Sequence, residues 1–180
     1  LHRLRKTNER SIETVESLLD LAEIQAGTVD VETVELDALA KSVMASFSHA
    51  AAEAGVVMSS ELQSVSVRGD AVLLRQMLSN LIQNAIRHND QGGFATVLTR
   101  YEQEVMVLEV ENSGAKLTTE LVEQLVDPFY RGTGRTRTES NQGRGLGLSI
   151  VSAIVDRHEG KLVLDPRETG GLIVRVNLPR

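Results

Sequence analysis

The sequence contains no cysteine and no tryptophan, and aromatic residues make up only 3% of its 180 residues. The absence of cysteine excludes disulfides, thiolate metal ligands and thiol nucleophiles, and it fits a reducing compartment. The scarcity of aromatic residues argues against a surface that stacks nucleic-acid bases. The net charge is −6 and no basic stripe is present, so no nucleic-acid partner is expected.

Long hydrophobic runs are also missing. None approaches the ~20 apolar residues that a membrane-spanning helix needs, and no signal peptide is visible. A hydrophobic content of 41% beside 24% charged residues is typical of a soluble globular domain. The length predicts one domain with a sizeable core and room for an appendage. Because Leu1 lies within a helical pattern that has no start signal, we expect the chain to be part of a longer protein.

Glycine recurs at alternate positions in one stretch, at Gly143, Gly145 and Gly147, just before an apolar run that begins at Leu148. Glycine lets the backbone approach a ligand closely, and a helix start presents unpaired N–H groups with a partial positive charge. Together these features predict a site for an anion such as phosphate. A turn that serves packing only is an equally weighted alternative for this motif taken alone.

The helical pattern of residues 1–26 is amphipathic and ends at Gly27, a common helix stop. A single helix of this kind cannot bury its apolar stripe alone, so a partner helix is expected from a second copy or from sequence outside this chain. Packing of a solvated helix on its own domain is the alternative, and it stays open.

The rest of the chain alternates between strand-like and helical patterns. Apolar residues spaced by two predict strands, and apolar residues spaced by three or four predict helices, one capped by Asp37 and another by Asp70. The predicted strands are 29–36, 56–62, 64–68, 94–101, 105–111, 161–164 and 172–178, and the predicted helices are 37–54, 71–88, 119–124 and the segment following Gly147. Residues 127–142 are polar and rich in glycine, threonine and arginine, which predicts a mobile loop.

This order of elements predicts an α+β fold. We expect a two-layer α/β sandwich with a mixed, mostly antiparallel sheet and helices on one face, plus the N-terminal helix. The common nucleotide-binding motifs do not fit it. No P-loop sequence occurs, and Leu148 stands where the Rossmann pattern needs its third glycine. No Ser-His-Asp arrangement or zinc triad is apparent.

Two asparagines, Asn80 and Asn84, lie four residues apart on one face of the predicted helix 71–88. Amides on an otherwise apolar face are costly unless they bond something. They are either satisfied core asparagines or ligands, and two in register favour ligands. An amide oxygen suits Mg²⁺, and Arg87 and His88 on the next turn suit phosphate or sugar hydroxyls.

Five segments together resemble the ATP-binding catalytic domain of sensor histidine kinases, a GHKL or Bergerat fold shared with gyrase, Hsp90 and MutL. Residues 80–89 resemble its N box, Val110–Gly114 its first glycine box, Asp127–Arg131 its F box, Gly143–Leu148 its second glycine box and Thr169–Gly171 its last. Their order and spacing match the family over about residues 30–180. The resemblance implies a catalytic domain at 28–180 with a lid at about 127–145, and it assigns 1–27 to the second helix of a dimerisation hairpin.

The resemblance also implies a role for each matched residue. Asn84 would hold the Mg²⁺ that bridges the phosphates, and Asn80, Arg87 and His88 would contact metal-linked water, phosphate and ribose. Asn112 would bind the adenine amino group, with Gly114 passing close to the base. Phe129 would anchor the lid. The triphosphate would be held by Arg131 and by the backbone of Gly143, Gly145, Leu146, Gly147 and Leu148.

Two positions depart from the family pattern. Asn112 stands where the family usually has aspartate, and Lys116 where it has a second glycine. An amide oxygen still accepts a hydrogen bond from adenine, but the loss of charge assistance removes roughly 1 kcal/mol of affinity. A degenerate nucleotide-binding or interaction module without kinase activity is therefore the alternative hypothesis.

The function implied by the resemblance is phosphoryl transfer from ATP to a histidine in two-component signal transduction. Related ATPases carry a glutamate base where this chain has Asn80, so transfer is favoured over hydrolysis, with a GHKL-type ATPase as a further alternative. The acceptor histidine motif is absent from this sequence, because His2 is followed by Arg3-Leu4-Arg5. Expected partners are ATP, a homodimer partner through the N-terminal helix and a response regulator. The domain is expected to be cytoplasmic and its parent a phosphoprotein anchored in the cell membrane. Segments 111–115 and 131–135 resemble actinobacterial sensors, including the VanS type of vancomycin resistance.

Overall fold

The structure is a computed structural model, and it describes residues 15–126 and 146–180. The helices are α1 (residues 15–26), α2 (Leu36–Ala54), α3 (Ala71–Arg87), α4 (Thr119–Glu123) and α5 (Gly147–Arg157), and a 3₁₀ turn at Gln124–Val126 follows α4. The strands are β1 (Glu32–Glu35), β2 (Val57–Leu62), β3 (Ser66–Gly69), β4 (Phe94–Glu102), β5 (Val105–Asn112), β6 (Lys161–Pro166) and β7 (Leu172–Pro179). The elements predicted from the sequence are all present within these ranges.

Five strands form the main sheet, in the order β2-β4-β5-β7-β6. β2 runs parallel to β4, and the other neighbours are antiparallel. β1 and β3 form a separate antiparallel pair. The prediction of an α+β fold with a mixed, mostly antiparallel sheet is therefore confirmed.

The core lies between one face of this sheet and helices α2, α3 and α5. Alternate side chains of β5 point to opposite faces, so Met106, Leu108 and Val110 are buried against the helices. Glu109 lies between them on the opposite face and binds Arg175 of β7, with 2.7 Å between Oε2 and a guanidinium nitrogen. The sheet is thus apolar on the helix side and carries ion pairs on the other side.

Helix α3 is capped as the sequence predicts. The Asp70 carboxylate accepts hydrogen bonds from the backbone N–H groups of Val72 and Leu73. The buried side chains of the helix are Leu74, Met77, Leu78, Leu81, Ile82 and Ala85. This apolar stripe fixes the rotation of α3, so the asparagine face beside it turns towards α5.

The predicted cap of α2 at Asp37 is wrong. The helix begins at Leu36, its N-cap is Glu35, and Asp37 lies in the first turn. The Leu36 N–H donates to the Val65 carbonyl. The helix therefore starts at the residue directly after β1. Asp37 instead accepts a long 3.4 Å hydrogen bond from the backbone of Val65. Pairing with the distant β3 segment sets this boundary, and a local cap rule contains no information about that pairing.

The described part of α1 packs on its own domain. Ile24 is buried in the core, and Gln76 of α3 donates to the Asp20 carboxylate at 3.0 Å. Val15 and Leu19 are exposed to 55% and 58% on another side of the helix. One face of α1 therefore packs on its own domain. A partner helix against the opposite, exposed face stays a prediction. Across the described helices, none is long and apolar enough to cross a membrane.

Candidate functional site

A pocket that is partly open to solvent lies between α3, β5, the α4 region and the start of α5. Its empty space is about 590 Å³ when the part open to solvent is included. Its wall consists of Leu81, Asn84, Ala85, His88, Val110, Asn112, Ala115, Leu117, Leu125, Leu148, Gly171, Leu172 and Val174. Most of these side chains are apolar, and the few polar groups come from α3 and β5. An apolar slot with a few convergent polar groups is the usual form of a small-molecule site.

Asn80 and Asn84 lie on the face of α3 that is turned towards the first residue of α5. A Cβ atom added to Gly147 would lie 3.4 Å from Asn80 Oδ1 and 3.9 Å from Asn84 Oδ1. Asn80 is half-buried, and its Nδ2 donates to the Gln76 carbonyl at 3.0 Å, which fixes its amide. Glycine at position 147 therefore leaves open the space over both amide oxygens.

The next turn of α3 carries the other two predicted residues, and the structure separates them. His88 caps the helix, is half-buried and lines the pocket. Arg87 is exposed and lies outside the pocket wall. His88 is therefore placed to contact a ligand in the pocket, whereas Arg87 is available only to a group that projects from it.

Asn112 ends β5 on the core side of the sheet and is only 6% exposed. Its Nδ2 donates to the Ser113 carbonyl at 2.7 Å, so its Oδ1 is the amide atom left to accept from a ligand. The chain then turns at Gly114, whose φ is +151° and where a Cβ would overlap the His88 carbonyl oxygen. The backbone at Gly114 therefore passes close to the end of α3, and its approach to a nucleotide base stays a prediction.

A small polar network fixes this turn through Asn89 and Ser113, for which no role is predicted from the sequence. Ser113 Oγ donates to Asn89 Oδ1 at 2.6 Å and accepts from the Phe94 N–H at 2.8 Å. Asn89 Nδ2 in turn donates to the carbonyls of Ala85 and Phe94. These bonds tie the end of α3 to the turn beside Asn112. The only signal in the sequence was that both residues lie within motifs.

The start of α5 forms the opposite wall. Leu146 precedes the helix and accepts the Ile150 N–H, while Leu148 is buried and lines the pocket. Ser149 is buried, and its Oγ donates to the Val126 carbonyl at 3.0 Å. This bond joins the residues on either side of segment 127–145. The remaining predicted binding residues, Phe129, Arg131, Gly143 and Gly145, lie outside the described part of the chain.

The side chains at the pocket fit a metal ion that takes few ligands from the protein and most of them from water and phosphate. Residues 15–126 and 146–180 contain no group of three or more His, Asp or Glu side chains that could hold a metal ion by themselves. Mg²⁺ characteristically takes one or two protein oxygens and completes its shell with water and phosphate. Asn84, half-buried at the pocket wall beneath open space at Gly147, supplies one such oxygen. The residues present therefore fit Mg²⁺ bound together with a phosphate.

Comparison with known proteins gives a consistent result. Residues 69–180 match the family described as histidine kinase-, DNA gyrase B-, and HSP90-like ATPase. The sensor protein CutS of Streptomyces coelicolor is 40% identical over 175 residues, which are 96% of this chain and 42% of CutS. The chain therefore spans less than half of that relative.

Solved structures agree with these sequence matches. The nucleotide-free catalytic domain of the histidine kinase ThkA is 27% identical, with a TM-score of 0.72 over 83% of this chain and 97% of that one. A complex of ThkA with the response regulator protein TrrA has the same fold at 24% identity, with a TM-score of 0.78 over 97% of this chain and 48% of that one.

Proposed function

Because the chain belongs to the histidine kinase-, DNA gyrase B- and HSP90-like ATPase family, as the catalytic domain of a sensor histidine kinase, we propose that residues 28–180 bind ATP with Mg²⁺ in the pocket described above. The γ-phosphoryl group then passes to a histidine outside this chain. The observation that carries the proposal is the placement of Asn84 and Asn112, from two elements, on the wall of one apolar pocket.

The base end of the site is formed around Asn112. Its Oδ1 accepts a hydrogen bond from the 6-amino group of adenine, because its Nδ2 already donates to the Ser113 carbonyl. Val110, Leu172 and Val174 supply apolar contacts for the faces of the purine. His88 lines the pocket one helical turn after Asn84 and contacts the ribose.

The phosphate end of the site is formed around Asn84. Its amide oxygen is a ligand for Mg²⁺, which when bound supplies charge neutralisation for the phosphoryl group. Asn80 positions metal-linked water one turn earlier on the helix. The open space at Gly147 and the N–H groups that begin α5 receive the phosphates. Arg87 and Arg131 are proposed as further phosphate contacts.

Transfer is favoured over hydrolysis by the chemistry of Asn80. An amide cannot take a proton from water, so this position supplies no general base. Phosphoryl transfer depends mainly on positioning and charge stabilisation, which the remaining residues provide for an acceptor that enters from outside. Asn80 itself is held by the Gln76 carbonyl and cannot move away from Gly147 without losing that bond.

The wider assignment follows the same family. Residues 1–27 are proposed as part of a dimerisation hairpin, with the exposed Val15 and Leu19 facing a partner helix. A response regulator is the proposed downstream partner, since the structurally similar ThkA forms a complex with TrrA. A cytoplasmic location below a membrane-anchored sensor is proposed for the domain. Similarity to vancomycin-resistance sensors stays a prediction.

Calorimetric titration of ATP into this chain, with and without Mg²⁺, tests the proposal. We expect Mg²⁺ to tighten ATP binding, Asn84→Ala to abolish that tightening, and Gln83→Ala, an exposed change beside it on α3, to leave it intact. No heat at ~1 mM ATP would correspond to binding weaker than about −4 kcal/mol and would favour the interaction module without kinase activity. Steady release of phosphate by the chain alone would favour an ATPase.

A further inference from the structure

The turn between β6 and β7 presses against the backbone that forms the base end of the pocket. The Gly171 N–H donates to the Ala115 carbonyl at 3.0 Å, and Gly171 itself lines the pocket. Gly170 and Gly171 have φ values of +100° and +98°. A Cβ at either position would overlap a carbonyl oxygen of the segment 112–114. The distance between this turn and Asn112 therefore defines the width of the base end.

The side chain of Arg167 holds the turn in this position. Its Nε donates to Glu111 Oε1 at 2.5 Å, and its other guanidinium donors include a bond to the Gly170 carbonyl at 2.5 Å. The guanidinium also lies 4.9 Å from the centre of the Phe94 ring. Arg167 thus joins the turn to two strands of the main sheet at once.

The partners of Arg167 are next to the proposed base contact along the chain, although the Glu111 side chain lies on the opposite face of β5 from Asn112. Glu111 is the residue before Asn112 on β5, and the backbone of Phe94 bonds Ser113, the residue after it. The Arg167 side chain is only 18% exposed and Glu111 is 32% exposed, so solvent weakens the ion pair less than at an open surface. Gly170 and Gly171, the turn residues in contact with segment 112–115, have no side chain that could provide an equivalent anchor.

We propose that Arg167 is a positioning residue for the nucleotide base: it fixes the Gly170–Gly171 turn against residues 112–115 and so sets the fit around adenine. The inference rests on the proposed ATP-binding function and concerns the same pocket. Arg167 acts on the base end only and does so through the turn, since its other contacts lie on the face of β4 and β5 that is turned away from the helices, and none lies at Asn84. Loss of its side chain leaves the backbone bonds of the turn in place and loosens the wall without removing it.

The sheet offers a matched control in Arg175. Arg175 of β7 binds Glu109 of β5 through two guanidinium nitrogens at 3.0 and 2.7 Å. It is likewise an arginine–glutamate pair with β5, on the same face as Glu111 and two residues before it, but it does not touch the turn. Arg175→Ala therefore removes a comparable ion pair while leaving the base end unchanged.

The experiment measures dissociation constants for ATP, ADP and GTP, with and without Mg²⁺, in the whole chain and in three variants. For Arg167→Ala we expect ATP and ADP to bind about tenfold more weakly, the preference for ATP over GTP to fall, and the tightening by Mg²⁺ to stay as in the original chain. Arg167→Lys keeps the positive charge but lacks the planar guanidinium with its several donors, so it recovers part of the lost affinity. Arg175→Ala leaves all constants within about twofold.

The outcomes separate this inference from the function on which it rests. If the original chain binds no ATP, both fail. If it binds ATP but Arg167→Ala and Arg175→Ala behave alike, the positioning role is wrong and the ATP-binding function stands. If Arg167→Ala loses the tightening by Mg²⁺ to the same extent as the preference for ATP over GTP, the positioning role is also wrong, because the whole pocket is then damaged. Should Arg167→Ala not fold, Arg167→Lys and Glu111→Gln are judged by the same criteria.

Discussion

The imidazole of His158, at the end of α5, accepts a hydrogen bond at Nε2 from the backbone N–H of Asp70, 3.0 Å away. Its other ring nitrogen, Nδ1, lies 2.7 Å from the Ile154 carbonyl and donates to it. Asp70 caps α3, so one buried ring joins the far end of α5 to the start of the helix that carries Asn80 and Asn84. The two helices that bound the phosphate end of the pocket are therefore joined directly through this ring.

Replacing His158 with phenylalanine should destabilise the fold. The Asp70 N–H would lose its partner, which costs about 1–3 kcal/mol for one unsatisfied buried group. The Ile154 carbonyl would keep its backbone bond from residue 158 and lose only the bond from the ring. Urea unfolding measures the change, and His158→Gln should retain part of the stability because its amide both accepts and donates. His49→Phe, at an exposed site on α2, is the control and should alter stability little. Equal stability of both phenylalanine variants would show that the ring bonds contribute nothing.

The Asp70 cap should make stability depend on pH at the acidic end. Burial alone would raise the pKa of its carboxyl, but three backbone N–H groups donate to it and hold the pKa below its ordinary value of 3.8. These donors are Leu73, Asp30 and Val72. A lowered pKa in the folded state means that the stabilisation is complete above the ordinary value and is lost as the pH falls through the folded value.

Asp70→Ala is therefore expected to lower the free energy of unfolding by about 1 kcal/mol at pH 7. The difference from the original chain should shrink as the pH drops below the ordinary carboxyl range. Denaturation curves across pH 2.5–7 would measure it. A difference that stays constant over this range would contradict a role for the charged form.

Restoring the usual family residue with Asn112→Asp should not improve ATP binding. The Asn112 amide donates to the Ser113 carbonyl, and a carboxylate in the same place would bring two acceptors together at 2.7 Å. The position is also buried, so the charge gained for adenine is offset by desolvation. We expect ATP affinity to stay the same or fall, and the free energy of unfolding to drop by about 1–3 kcal/mol. A clear gain in affinity without loss of stability would refute the fixed orientation of this amide.

Gly147→Ala should separate stability from binding. The added methyl group meets only ordinary contacts, the nearest at 3.4 Å, and alanine favours a helix by up to about 1 kcal/mol over glycine. The thermal midpoint should therefore stay the same or rise. The methyl group nevertheless occupies the space above the Asn80 and Asn84 oxygens, so Mg²⁺-dependent ATP binding should weaken. Unchanged binding would mean that this space is not used by the phosphates or the metal.

Local patterns were enough to predict most helices and strands, and long-range pairing explains where they failed. Asp70 is followed at once by the apolar period of α3, and nothing distant competes with its cap. Asp37 has the same local appearance, but the pairing of β1 with β3 starts the helix earlier. The parallel alignment of β2 with β4 has the same origin, since its partner lies beyond the whole of α3.

The candidate site likewise has positions that can be predicted from the sequence and contacts that cannot. The two-residue alternation of β5 places Asn112 on the core face with Val110, and the helical period places Asn84 towards α5, so both positions follow from the sequence. The contacts of Arg167 do not follow from any period. They depend on how a turn with two positive φ values folds back on β5, which only the assembled sheet determines.

The bond between Ser149 and Val126 has a consequence for the entropy of the chain. It fixes the two ends of segment 127–145 to each other through the folded core. The entropic cost of holding two points of a chain together rises only with the logarithm of the number of residues between them, by about 0.6 kcal/mol for each doubling. The number of residues between the two anchors can therefore change substantially while the wall that contains Leu148 keeps its place.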